Sequence, residues 1–167
     1  MVNIYTRVIS LPNEYGKDQF ASFLMSLSKK AKNDHSNKVK FAFLLKALNL
    51  MQSVDHKKLL DISDMNPFYS ELEIEVEGKS HIENFELIKP LKKEDIYELR
   101  INLKSFNWRF RATFFPHASN GVQFHCFVYP FIKVKNKQDL TDFYRDKTFS
   151  IRDEVITNPL KYTPHFT

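Results

Sequence analysis

Arginine, histidine and tyrosine side chains recur at alternating positions in the second half of the chain. Alternate residues of an extended strand point to the same side, so Arg109 and Arg111 are predicted to share one sheet face. Arginine suits phosphate because its guanidinium donates two parallel hydrogen bonds and keeps its charge. His125 and Tyr129 could transfer protons or stack on bases. The pattern favours a partner that contains phosphate.

Three strands must position these side chains. They are predicted at Tyr97–Leu103, Phe106–Phe115 and Val122–Tyr129, with short links that indicate an antiparallel sheet. One face is aliphatic and aromatic and is predicted to be covered by helices, so the other face should stay open. The predicted open face carries Glu98, Arg100, Arg109, Arg111, Thr113, Gln123, His125 and Tyr129.

The same residue types are also common on an ordinary solvent-facing strand. Glu98 could simply pair across the sheet with Arg109 or Arg111, and the polar face would then be structural. Spacing alone leaves both interpretations open. Three lysines follow the last strand at alternating positions and are predicted to extend the positive edge: Lys133, Lys135 and Lys137.

Composition excludes several classes of protein. The chain has 167 residues, a formal charge of +5 and 43% hydrophobic residues, which fits one folded domain rather than a disordered chain. Its three glycines form no phosphate-binding glycine loop, and its single cysteine, Cys126, is predicted to be a buried core residue. The histidines show no metal-ligand spacing, so neither a metal nor another cofactor is expected.

Charge is distributed unevenly along the chain. From Glu86 onward there are 14 basic and 9 acidic residues, whereas the first half is balanced, so the whole excess lies in the second half. This is compatible with a polyanionic partner such as RNA. No apolar run is long enough for a membrane span and no signal sequence is apparent, so a cytoplasmic protein without a membrane partner is expected.

The first half should supply the covering helices. A first strand is predicted over Val2–Leu11, with Val2 and Ile4 buried, and two amphipathic helices are predicted over Lys17–Lys32 and Ser36–Ser53. The main stripe of the second helix is predicted to contain Phe41, Leu44, Leu45, Leu48 and Met51. The class indicated is α+β, with a helical hairpin packed on a twisted antiparallel sheet.

Two further segments complete the single predicted domain. Residues 52–87 contain a strictly alternating strand, Glu71–Glu77, whose glutamates are interpreted as a solvated acidic face. A short helix is predicted over Asn136–Lys147, followed by a tail over 148–167.

Three short motifs in order resemble the RelE/HigB toxin superfamily of toxin–antitoxin systems. Lys89–Ile101 is similar to the "K-x-L … lyELRi" strand, Phe110–Phe115 to the "yR-x-x-yff" strand, and Val122–Val128 to the "ivlLhgFvKK" strand. Where the family has "FvKK", this chain has Phe127-Val128-Tyr129-Pro130, so the basic run is missing. The chain is also longer than typical members, which makes residues 52–87 an insertion under this resemblance.

The resemblance implies a ribosome-dependent mRNA endoribonuclease that works without a metal and is held silent by a cognate antitoxin. Arg111 would bind the scissile phosphate, and His125 or Tyr129 would transfer protons. Binding of mRNA on the ribosome would be completed by Arg100, Arg109, Lys133, Lys135 and Lys137. The alternative is a non-enzymatic binding protein on the same scaffold, such as a ParE-like gyrase inhibitor or a degenerate phage or mobile-element relative.

Overall fold

The computed structural model describes residues 5–167 as one mixed sheet with helices on both faces. The predicted burial of Val2 and Ile4 lies outside the described residues. The strands are β1 (Thr6–Ser10), β2 (Phe68–Val76), β3 (Lys79–Pro90), β4 (Tyr97–Leu103), β5 (Trp108–Ser119) and β6 (Val122–Ile132). The helices are α1 (Gln19–Ala31), α2 (His35–Met51), α3 (His56–Leu60), α4 (Thr141–Thr157) and α5 (Pro159–Tyr162).

Six strands form the sheet in the order β1-β6-β5-β4-β3-β2. The β2 to β6 neighbours pair antiparallel, as predicted for the last three strands, whereas β1 runs parallel to β6. The α+β class is therefore confirmed, with a mixed rather than a purely antiparallel sheet. Within residues 5–167, none of the helices combines the length and the apolar character that crossing a membrane requires.

The helical hairpin of α1 and α2 covers one sheet face, as predicted. Asp18 caps α1 by accepting a hydrogen bond from the Ala21 amide, and Asp34 caps α2 by accepting one from the Asn37 amide. The buried stripe of α2 is rotated from the predicted one, because Val39 and Phe43 are buried while Leu45 is 46% exposed. The core below the hairpin includes Leu99, Ile101, Phe110, Ala112 and Phe127.

The opposite sheet face is partly covered, which the sequence interpretation missed. Helix α4 begins at Thr141 and continues through Thr157, where a tail was predicted. Its Ile151 and Val155 pack on Phe115 and Phe124 in a second core. The chain end is also buried there through Tyr162 and Phe166. The prediction of a fully open polar face is wrong, because α4 is amphipathic and buries its few apolar side chains against this face.

Residues 52–87 belong to the same sheet. They form α3, β2 and most of β3. Strand β3 pairs with β4 in the same sheet, with Ile88 opposite Leu99 and Lys89 opposite Glu98. The predicted alternation of β2 is confirmed, since Leu72, Ile74 and Val76 are buried against the hairpin and the intervening glutamates are exposed. The segment thus widens the sheet by two strands.

Candidate functional site

An open cleft of about 330 Å³ lies on the sheet face that carries α4, beyond the part that α4 covers. Its walls come from β4, β5, the turn between them and the residue after β6. We call it the basic cleft, because five of its lining side chains are cationic and none is acidic. The lining consists of Arg100, Asn102, Leu103, Lys104, Asn107, Trp108, Arg109, Arg111 and Lys133.

Strand register brings these side chains together. Arg100 lies directly opposite Arg111, and Asn102 lies opposite Arg109, in the antiparallel pair of β4 and β5. The Lys133 amide donates a hydrogen bond of 2.9 Å to the Arg109 carbonyl, which holds the lysine beside the same two strands. Cations placed side by side repel one another, and an anionic ligand between them would relieve that repulsion.

Arg111 forms the inner wall of the basic cleft and is only 2% exposed. Its Nη1 donates to Asn102 Oδ1 at 2.7 Å and to the Phe110 carbonyl at 2.8 Å, so the guanidinium orientation is fixed. Burial is the largest cause that lowers the pKa of Arg111 to about 10, and the nearby Glu98 carboxylate opposes that shift. A fixed, poorly hydrated guanidinium is well suited to bind an anion.

Glu98 lies behind Arg111 and is 3% exposed. Its Oε1 lies 3.5 Å from Arg111 Nε and 3.7 Å from Arg100 Nε, while Oε2 is buried and has no hydrogen-bond partner among the described residues. Burial raises the pKa of this carboxyl, and the two arginines lower it in part. The single negative charge of Glu98 therefore neutralises only part of the positive charge of Arg100 and Arg111.

Two carboxylates border the basic cleft without lining it. Asp139 Oδ2 lies 3.0 Å from Lys133 Nζ, and a hydrogen bond from the Thr141 hydroxyl is the largest cause that lowers the pKa of Asp139 to about 2. Glu86 Oε2 lies 3.5 Å from Arg100 Nη1. Both pairs are solvent-accessible and contribute little stability, so an anionic ligand could replace either carboxylate.

The structure does not bring the two predicted proton-transfer residues to the basic cleft. His125 points to the hairpin face and is 0% exposed, and its Nε2–H donates a hydrogen bond of 2.7 Å to the Val54 carbonyl. Tyr129 is 1% exposed and its hydroxyl donates to the Glu14 carboxylate beside α4. The prediction that both face solvent is wrong.

A bulge in β6 explains why Tyr129 and His125 separate. Thr113 pairs with Tyr129 but the next residue, Phe114, pairs with Phe127, so Val128 is an extra residue in the β6 strand. The inward and outward positions exchange at that point, which simple alternation does not predict. Glu14 and Lys147, at 2.8 Å from each other, then close over the Tyr129 hydroxyl.

The remaining predicted site residues divide into two groups. Arg100, Arg109, Arg111 and Lys133 line the basic cleft together. Lys135 and Lys137 are exposed on the following segment and do not line it. Prediction from sequence missed Lys104, Asn102 and Asn107; the signal available for Lys104 was its place in the tight turn between two arginine-bearing strands.

Burial of His125 predicts a specific dependence of stability on pH. Burial is the largest cause that lowers its pKa to about 4, from about 6.5 in an unfolded chain. As pH falls below 6.5 the unfolded state takes up the proton first, so stability that is full above pH 6.5 is lost between pH 6.5 and 4. The His125 contribution lost by pH 5 is about 2 kcal/mol.

Replacement of His125 by phenylalanine should remove this part of the pH dependence. Urea unfolding at pH 7 and pH 5 should show a smaller difference for His125→Phe than for the wild type. The neighbouring His56, whose pKa is also lowered by burial, and Glu98 titrate in both proteins, so the comparison isolates His125. An equal loss of stability in both proteins would show that His125 is not buried in its neutral form.

Neither a metal cluster nor a known relative accounts for the basic cleft. Among residues 5–167 there is no group of three or more histidine, cysteine, aspartate or glutamate side chains arranged to hold a metal ion. The chain matches no protein-family model, no curated protein sequence and no solved structure.

Proposed function

We propose that this protein binds RNA phosphates in the basic cleft and acts as a toxin of the RelE/HigB type on mRNA at the ribosome. The observation that carries the proposal is the convergence of Arg100, Lys104, Arg109, Arg111 and Lys133 on one open cleft with no acidic lining residue. RNA is a polyanion whose backbone is recognised through such cationic grooves.

The basic cleft offers the electrostatic part of RNA cleavage. Attack of a ribose 2′-oxygen on the adjacent phosphorus forms a P–O bond, breaks the bond to the 5′-oxygen and adds negative charge to the phosphate. Fixed cations stabilise that charge, and Arg111 is held in place before any ligand arrives. The Arg111 guanidinium stays charged beside Glu98 and serves the phosphate, while the leaving 5′-oxygen takes its proton from solvent in the open cleft.

Cleavage also needs a group that accepts the 2′-hydroxyl proton. His125 and Tyr129 lie outside the basic cleft, and the residues that line it include no histidine and no carboxylate that could accept this proton. This placement favours the second function, a binding protein that blocks its target without cutting RNA or that inhibits gyrase as ParE-like proteins do.

An induced-expression experiment separates the two functions. The wild type and Arg111→Lys, which keeps the charge but loses the planar fork, should be induced in parallel, with thermal melts to verify folding. Growth arrest with codon-phased mRNA ends that disappear in Arg111→Lys would support the endoribonuclease. Arrest with intact mRNA would support binding alone, and RNA affinity unchanged by cleft substitutions would contradict both RNA-based functions.

A toxin of this type requires an antitoxin. We propose that the antitoxin docks on the basic cleft through an acidic segment of its own. The phenylalanines of α1 and α2 are less suitable for docking, because Phe20 and Phe43 are buried in the hairpin core. The cleft remains accessible, and its five cations outnumber the three carboxylates beside them, Glu86, Glu98 and Asp139, so neutralisation of the excess charge is the available basis for recognition.

A further inference from the structure

The basic cleft has an acidic counterpart on the same sheet face. Glu71, Glu73 and Glu75 alternate with the buried residues of β2, so their side chains lie on the face opposite the helical hairpin. Glu86 of β3 continues this row through its pairing with Tyr69. We call these four glutamates the acidic strip.

Arg100 joins the acidic strip to the basic cleft. It lines the cleft and also a second hollow of about 270 Å³ that includes Asn84 and Glu86. One continuous surface therefore carries negative charge over β2 and β3 and positive charge over β4, β5 and the end of β6. Among residues 5–167, no basic group lies within 4.0 Å of the carboxylates of Glu71, Glu73 or Glu75, and the hydrogen bond that Glu73 accepts from Ser80 leaves its charge in place.

We infer that two copies of this chain associate through this face, with the acidic strip of each copy seated on the basic cleft of the other. A two-fold axis between the two patches allows both contacts to form at once, because a self-complementary surface is what an isologous dimer requires. The accessible cations of each cleft, such as Lys104 and Arg109, then face the exposed Glu71, Glu73 and Glu75 of the other copy, and this contact forms twice.

Apolar side chains beside the charges support the same surface. Tyr69 is 61% exposed and Ile82 is 56% exposed, and their strand positions place both on the strip face. In strand register Ile82 lies opposite Glu73, at the middle of the strip. Exposed aromatic and aliphatic groups surrounded by charge are typical of the centre of a protein interface.

The interface should be weak and sensitive to salt. Its charges are exposed, so mobile ions screen them effectively. The dimer would occupy the basic cleft with glutamates, and RNA or any other polyanion would have to displace them.

A charge-exchange experiment tests the dimer with purified full-length protein. The strip variant is Glu71→Lys with Glu75→Lys, and the cleft variant is Arg109→Glu with Lys133→Glu. Sedimentation velocity at about 100 µM would populate a dimer with a micromolar dissociation constant. We expect the wild type to dimerise at about 50 mM salt and to dissociate at about 500 mM.

Each variant alone should be monomeric, because like charges then face each other. An equimolar mixture of the two variants should restore the dimer, because both of its contacts pair opposite charges again. A control with Asp64→Lys and Asp153→Lys, which changes the net charge equally at exposed positions away from the strip, should dimerise like the wild type.

Three results would overturn the dimer: a monomeric wild type at low salt, a strip variant that still dimerises, or a mixture that stays monomeric. RNA affinity is measured separately on the monomeric strip variant. A monomeric wild type that still binds RNA would contradict the dimer and not the proposed function. A wild type that dimerises but does not bind RNA would contradict the proposed function and not the dimer.

Discussion

Reversal of two cations in the basic cleft should lower the affinity for single-stranded RNA by about 100-fold at low salt. Arg109 is exposed and Lys133 is partly exposed, so Arg109→Glu with Lys133→Glu changes charge without opening the core. Each cation that contacts a phosphate releases a counterion, so loss of two should reduce the slope of log K against log salt by about 1.4. Fluorescence anisotropy with a labelled oligonucleotide at several salt concentrations measures both quantities.

A matched control distinguishes the cleft from net charge. Lys46→Glu with Lys57→Glu makes the same change in net charge, at exposed positions of α2 and α3 on the hairpin side. This control should reduce affinity only a few-fold. Lys135→Glu with Lys137→Glu should have an intermediate effect, because these lysines follow the cleft without lining it. Equal losses in all three pairs would mean that charge alone, and no particular site, governs RNA binding.

Removal of Arg111 alone should destabilise the fold by about 3–5 kcal/mol, because it leaves the Glu98 carboxylate buried without its nearest partner. Arg111→Met and Glu98→Leu are suitable single variants, since both replacements are apolar and of similar size. Together they remove both charges and should return the free energy of unfolding to within about 1–2 kcal/mol of the wild type. Urea unfolding of the four proteins gives the complete double-mutant cycle.

RNA binding should respond differently from stability. The double variant Arg111→Met with Glu98→Leu should fold well and still bind RNA more weakly than the wild type, because the inner cation of the cleft is lost. Recovery of both stability and RNA affinity would mean that Arg111 serves only the fold. A double variant as unstable as Arg111→Met alone would contradict the Glu98–Arg111 pairing.

Strand and helix positions could be predicted because they depend on local pattern. Leu72, Ile74 and Val76 alternate with glutamates, and period-two alternation is sufficient to define β2. The residues of β4 and β5 that line the basic cleft could be predicted from the same alternation, because Arg100, Arg109 and Arg111 lie on consecutive antiparallel strands. Their convergence needed only the correct register across one tight turn.

The positions of His125 and Tyr129 could not be predicted by the same method. A single extra residue at Val128 reverses the alternation, and no composition signal marks it. The role of α4 was missed for a related reason: its buried residues Thr148, Ile151 and Val155 are few, and only the opposing sheet makes them a core face. An amphipathic pattern shows that one face of a helix is buried, but it does not identify the element against which that face packs.

The sequence by itself determined the α+β class, the hairpin, the order of the pattern-defined strands and the uneven distribution of charge, because each depends on neighbours within a few residues. Only the tertiary structure decided which charges meet. It placed Glu98 behind Arg111, Lys133 beside Arg109 and α4 over part of the polar face. Contacts between residues far apart in the chain depend on strand register, on one bulge and on which apolar surface the last helix covers.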